Sequence, residues 1–214
     1  MSGRMRLSVI WKESWNNMKG NWGILTGITV CHNLILAGAQ NFLGVLAHIL
    51  LAPMTAGCSL SFLSVQRRKE INFSILFSKF DDYGRFVWGV TRSMLFTLLW
   101  GLLFIIPGII AALRYSQTIM LMLDDPSLDA AGAMKKSAEL MKGYKWKLFC
   151  YWIIWFFILV SVAICTLSIG LIWAVPFSGC FFAKFYLSLR EVHGLPVDAV
   201  SEEIRSEITE KQKR

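Results

Sequence analysis

The stretch MKKSAELMKGYKWKLF, Met134 to Phe149, carries five lysines and one glutamate and leads straight into an apolar run, Leu148 to Leu187, whose only charge is Lys184. Leu128, Ala131, Met134, Ala138 and Met141 recur at helical spacing, which gives one apolar stripe with the lysines on the other face or crowded at its end. Asp125 and Pro126 suit the N-cap and first position of such a helix, and Gly143 suits its end. A helix of this kind lies along lipid headgroups before the chain turns into the bilayer. The apolar run is forty residues long. As helix it would reach roughly 60 Å, about twice the hydrocarbon core, so it must fold back as a hairpin.

The rest of the chain repeats this logic. Of 214 residues, 55% are apolar and 17% charged, and the mean hydropathy is +0.52. Gly20 to Gln66 contains no Asp, Glu, Lys or Arg. These features exclude an ordinary soluble domain and point to an all-α, polytopic membrane protein. The opening MSGRMRLSVIW has no separate apolar segment with a small-residue cleavage site, so no cleavable signal peptide is expected. Cys31, Cys58, Cys150, Cys165 and Cys180 form an odd set in or beside apolar blocks without a CxxC pair, and read as small buried residues.

Charges divide the chain into three apolar blocks, each expected to form two helices. The expected spans are 22–40, 43–65, 86–104, 107–123, 148–166 and 170–189, six in one membrane domain, followed by a charged tail over 191–214. Turns are expected near Gln40-Asn41, Ile105–Gly108 and Thr166–Gly170, although LLFIIPGII also fits a kink within one long helix. The blocks resemble diverged copies. Each follows an amphipathic segment, a glycine and an aromatic residue: Gly20 and Trp22, Gly84 and Phe86, Gly143 and Trp146. Leu7, Trp11, Trp15 and Met18 form the stripe of the first segment, and Phe73, Leu76 (or Phe77) and Phe80 that of the second. Each second helix carries a proline and then two small residues: Pro53 with Gly57 and Ser61, Pro107 with Ala112 and Ser116, Pro176 with Gly179 and Ala183. With Gly108, these prolines and glycines are the expected packing and hinge positions. The pattern predicts three pseudo-repeated hairpins, each preceded by an amphipathic interfacial helix.

Charge also sets an expected orientation. The turns carry no Lys, Arg, Asp or Glu, whereas the connectors hold Arg67, Arg68, Lys69, Lys79 and Arg85, then Lys135, Lys136, Lys142, Lys145 and Lys147. The positive-inside rule places both termini and both long connectors in the cytoplasm.

The junctions, with IIPGIIAALRYSQTIMLMLDDPSLDAAGAMKKSAELMKGYKWKLF and LSIGLIWAVPFSGCFFAKFYLSL, resemble a bacterial integral-membrane family catalogued as domain of unknown function 975. The resemblance runs from about Trp15 to Leu189. Its most specific parts are the Pro-Gly turn, the Tyr-Ser after a basic residue, the Asp-Pro and the Met-Lys-Gly-x-x-Trp junction. It implies a multi-pass protein of the bacterial plasma membrane and supplies no chemistry. More loosely, the chain is similar to the membrane domain attached to some glycerophosphodiester phosphodiesterases, from which no residue is carried over.

Three cations fall inside the expected spans: Arg92, Arg114 and Lys184, with no acidic residue in any span to pair with them. Charge at mid-bilayer costs about 2.5–3.5 kcal/mol on insertion scales. Arg92 and Lys184 can snorkel toward nearby basic ends. Arg114 lies deeper. Either it bonds backbone carbonyls freed by Pro53 or Pro176, or it faces a cavity that receives an anion, expected near Pro176, Gly179 and Ala183. Arg114, Lys184 and Tyr115 are the candidate ligand-binding residues. Lys135, Lys136, Lys142, Lys145 and Lys147 are the candidate surface for anionic lipid at the cytoplasmic face. His32 and His48 read as hydrogen-bonded histidines. Asp81-Asp82 and Asp124-Asp125 fit capping or solvation better than a divalent cation. The chain has no HExxH, nucleophile elbow or phosphate loop and no nucleic-acid module, so no enzyme, metal, cofactor or nucleic-acid partner is expected. The expected function is to bind, move or organise an anionic lipid or amphiphile. The second reading is a scaffold that meets other membrane proteins through helix faces. Oligomeric state is not legible in the sequence.

Overall fold

The computed structural model describes residues 6–166 and 170–195. Every regular element among them is helical. In order these are α1 (Leu7–Met18), α2 (Trp22–Leu43), α3 (Leu46–Leu50), α4 (Ala52–Gln66), a 3-10 turn (Phe73–Leu76), α5 (Tyr83–Leu103), α6 (Ile105–Tyr115), α7 (Thr118–Asp124), α8 (Ala130–Leu140), α9 (Lys145–Cys165) and α10 (Leu171–Val192). Four stretches are helical, long and apolar enough to cross a membrane: Trp22–Leu43, Ile106–Asp124, Lys145–Cys165 and Leu171–Val192.

Several expected boundaries move. The first hairpin turns at Gly44, not at Gln40-Asn41, because α2 continues to Leu43. The second segment is a single 3-10 turn and not an amphipathic helix: Leu76 is buried, while Phe73, Phe77 and Phe80 stay exposed. Gly20 and Gly143 have φ of +92° and +79° and turn the chain from α1 into α2 and from α8 into α9, a conformation only glycine adopts freely. Gly84 does not share this role, since it lies within the first turn of α5. Asp129 caps α8 by accepting from Gly132 N at 2.8 Å, in place of the expected Asp125. Asp125 instead accepts from Ser127 N at 3.1 Å and so closes a turn upstream. The third turn falls largely on residues 167–169, and most of the tail on 196–214, outside the described residues.

At Ile105–Gly108 the chain makes a turn and not a kink. Phe104 is extended between α5 and α6, and Pro107 sits in the first turn of α6, where no backbone N–H is needed. A Cβ on Gly108 would stand 2.6 Å from Gly101 Cα, so only glycine lets the two helices meet there. A break that no glycine or proline marks separates α6 from α7 at Ser116-Gln117. Ser137 of α8 fills it. Its hydroxyl donates to Arg114 O at 2.6 Å and accepts from Gln117 N at 3.2 Å, so the interrupted backbone groups keep partners.

Burial is divided along each hairpin. α7 from Thr118 to Asp124 and α10 from Pro176 onward are largely buried, as is nearly all of α4. In α2 only Leu25, Ile28, Thr29 and His32 are buried, and in α9 only Leu148, Tyr151 and Trp155. Large exposed apolar side chains gather toward the hairpin tips, among them Phe42 (89% exposed), Leu102 (86%) and Ile164 (73%). Apolar surface on that scale is suited to lipid.

Each segment that precedes a hairpin packs mainly on a different hairpin. α1 lies along α10, the 3-10 turn rests on α4, and α8 covers α5, α6 and α7. Trp22 at the start of α2 meets Trp173 at the start of α10, with ring centroids 5.7 Å apart. Pro53 opens α4 without bending it, and Gly57 receives the 3-10 turn, since a Cβ there would lie 2.3 Å from Leu76 O. Pro176 lies inside α10, and Gly179 accommodates the Phe62 ring of α4.

Candidate functional site: a basic cleft under helix α8

α5 and α6 run antiparallel from their turn, which sets Arg92 and Phe96 beside Arg114 and Tyr115. The two rings meet edge to face at 6.4 Å, and each guanidinium lies over the ring of its own helix, Arg92 over Phe96 and Arg114 over Tyr115, both at 5.9 Å. A cation over an aromatic face gains about 0.5–1 kcal/mol at an exposed site and more where water is excluded. The aromatic pair thus orients two arginines across one helix seam. α8 and the turn that follows it close the cleft with Lys135, Glu139 and Lys142. The cleft is about 360 Å³ and presents four cations against one carboxylate.

The structure distributes the other expected cations elsewhere. Lys184 does not join Arg114. It pairs with Glu13 of α1 at 2.8 Å, a partner outside every expected span. Lys136 approaches Asp125 at 3.8 Å, and Lys147 lies over the Tyr144 ring at 5.0 Å. Arg85 donates to Met122 O, Asp125 O and Leu128 O at 2.7–3.3 Å, so the backbone-clamping role considered for Arg114 belongs to Arg85. Where a cavity was expected near Pro176, Gly179 and Ala183, the side chains pack closely: Ala183 is fully buried and the Phe62 ring lies against Gly179. Arg92, Arg114, Lys135 and Lys142 remain. Among the described residues, none of them makes a side-chain hydrogen bond or an ion pair. Each guanidinium carries five N–H donors, so the cleft offers a dense set of donors that engage no protein acceptor.

Two neighbouring hollows adjoin the cleft. Tyr115 also lines one of about 520 Å³ that carries Ser93, Thr97, Ser116, Thr118 and His48. Lys142 also lines a more apolar groove between α6 and α9. His32 bonds Thr55 Oγ1 at 3.2 Å and His48 bonds Gln40, so each histidine has its own partner.

A buried ionic hub holds this arrangement and was not anticipated. Asp124, 3% exposed, accepts from Arg67 Nη1 and Nη2 at 2.8 Å each, from Tyr186 OH at 2.8 Å and from Arg190 Nη1 at 2.6 Å. It joins the ends of α4, α7 and α10, one from each hairpin. With Asp124 taken by these donors, Asp124-Asp125 is not a divalent-cation site.

Residues 101–193 match the family model described as "Protein of unknown function (DUF975)". The matched stretch contains the Pro-Gly turn and the Met-Lys-Gly-x-x-Trp junction on which the resemblance rests, and so supports it. No curated protein and no solved structure matches the chain.

Proposed function

We propose that this chain is a non-enzymatic membrane protein that binds an anionic amphiphile in the cleft of Arg92, Arg114, Lys135 and Lys142, and thereby moves or organises it. The observation that carries the reading is the set of four cations around one cleft with no protein acceptor engaged. Arg114 sits within the apolar stretch Ile106–Asp124, where an unemployed charge is costly, and an incoming anion removes that cost. Arginine suits phosphate because its planar fork donates two parallel hydrogen bonds.

The membrane arrangement belongs to the same proposal. Six apolar helices form three pseudo-repeated hairpins, with both termini and the basic connectors in the cytoplasm and α1 and α8 at the interface. The packing of each preceding segment mainly on a different hairpin supports a repeat. Lys135 and Lys142 then bridge the cleft and the cytoplasmic headgroup layer, where each lysine adds about 1 kcal/mol of attraction to anionic lipid.

The test is lipid copurification. Arg114→Gln should keep the wild-type elution profile and melting temperature but lose most copurified anionic lipid, and Arg114→Lys should retain part of it. Unchanged lipid content in Arg114→Gln would overturn the reading and favour the scaffold alternative.

A further inference from the structure

Resting on that reading, we infer that the ligand is an anionic phospholipid bound in two parts: its phosphate in the basic cleft and one acyl chain in the groove between α6 and α9. The groove is about 580 Å³, within the range of roughly 300–1,000 Å³ common for ligand pockets. Ile106, Ile109, Ile110 and Leu113 line one wall at helical spacing, and Phe149 and Trp146 line the other. Lys142 belongs to both the groove and the basic cleft, so a headgroup held by Arg114 and Lys142 leaves its chain at the mouth of the groove. Lys145 stands beside Lys142 at that mouth and adds a second cation where an ester-linked phosphate would lie.

The openness of the groove points to a lipid and not to a soluble anion. Ile106 and Trp146 are 72% and 76% exposed, so a chain enters sideways from the bilayer without crossing water. A free phosphate would gain nothing from the isoleucine wall. A partner helix would cover the same apolar residues but would bring no charge to Lys142, Lys145 and the other three cations of the cleft. Charge and apolar surface meet at one residue, which is the pattern an anionic phospholipid matches.

The experiment uses full-length protein in detergent, with bound lipid counted by native mass spectrometry. The probes are dioleoyl phosphatidylglycerol, dioleoyl phosphatidylcholine and the deacylated headgroup glycerophosphoglycerol. Wild type should retain the phosphatidylglycerol over both others. Ile110→Trp, at a half-exposed position, fills the groove and should weaken phosphatidylglycerol binding about tenfold, the effect of losing contact with roughly two methylene groups. Loss in Arg114→Gln with unchanged binding in Ile110→Trp would overturn the groove and leave the cleft standing. Unchanged binding in Arg114→Gln would overturn both. Glycerophosphoglycerol binding as tightly as the lipid would show a soluble anion and overturn the inference. A photoactivatable group placed mid-chain on phosphatidylglycerol gives a second measurement on wild type. It should label peptides from α6 or α9, and labelling confined to other helices would also overturn the groove.

Discussion

Asp124→Asn is the sharpest perturbation of the fold, because it preserves shape and removes charge. Oδ2 accepts from Arg67 Nη2, Tyr186 OH and Arg190 Nη1, and Oδ1 accepts from Arg67 Nη1. An amide has one oxygen to place. If the oxygen takes the Oδ2 position, the NH2 group points at an arginine donor; if the oxygen takes the Oδ1 position, the NH2 group confronts three donors. In either case Arg67 and Arg190 lose the carboxylate between them in a site where the Asp124 side chain is 1% exposed. Breaking a buried pair by removing one partner costs about 3–5 kcal/mol. At about 2–4 °C per kcal/mol for a chain of this size, the melting temperature should fall by roughly 6–20 °C. Tryptophan fluorescence of the purified protein in detergent measures it. Arg67→Gln should cost a similar amount, and the double variant should be less damaged than the sum by about 0.5–3 kcal/mol, since both single changes disable the same pair. A melting temperature within about 3 °C of wild type for Asp124→Asn, or full additivity, would refute the hub as the clamp that joins the hairpins.

Three further outcomes follow from the geometry. Gly57→Ala drives a Cβ against Leu76 O and should cost about 1–3 kcal/mol, whereas Gly84→Ala meets open space in a helix and should be neutral or stabilise by up to about 1 kcal/mol; equal melts for the two would refute this account. The Asp125 carboxyl is held below its ordinary value chiefly by the Ser127 hydroxyl, with Lys136 and Arg85 adding to this and slight burial opposing it. Its contribution is therefore complete above the ordinary value of about 3.9 and is lost as pH falls through the lowered native value, so an NMR titration of Asp125 should show no change from about pH 8 to 5. In intact cells, a cysteine-free version carrying Val45→Cys should react with an impermeant thiol reagent and one carrying Lys135→Cys should not; the reverse pattern would invert the proposed orientation.

What was legible in the sequence follows the range of each interaction. The apolar blocks, the Gly20 and Gly143 junctions and the basic stripe of α8 rest on neighbours within a few turns, and periodicity reports those. The hub does not, because Arg67 and Arg190 lie 57 and 66 residues from Asp124. A signal for it was nevertheless present: Arg67, Asp124 and Arg190 each stand at the end of an apolar block, with opposite sign in the middle block. Lys184 was misplaced for a related reason. Its partner Glu13 lies on an amphipathic helix that packs along α10, and a rule that searches only the spans for acids cannot find it.

The site itself depends on a difference between the proposed repeats. A serine stands six residues before each junction glycine: Ser14 before Gly20, Ser78 before Gly84 and Ser137 before Gly143. Ser14 is fully buried, and its hydroxyl has no hydrogen-bond partner among the described residues. It sits in α1, which packs along α10, a helix that runs without interruption from Leu171 to Val192. Ser78 follows only a 3-10 turn and bonds back to Ile75 O at 2.8 Å. Ser137 alone meets a broken helix, where Arg114 O and Gln117 N need new partners, and it supplies both. Leaving those two groups unpaired in an apolar setting would cost about 1–3 kcal/mol each, so the break and the serine fix α8 in one register on α6. That register brings Lys135 of α8 and Lys142, just past its C-terminal end, to the cleft of Arg114. A break at Ser116-Gln117 with no proline or glycine to announce it is thus the step that converts a packing helix into the lid of a basic cleft.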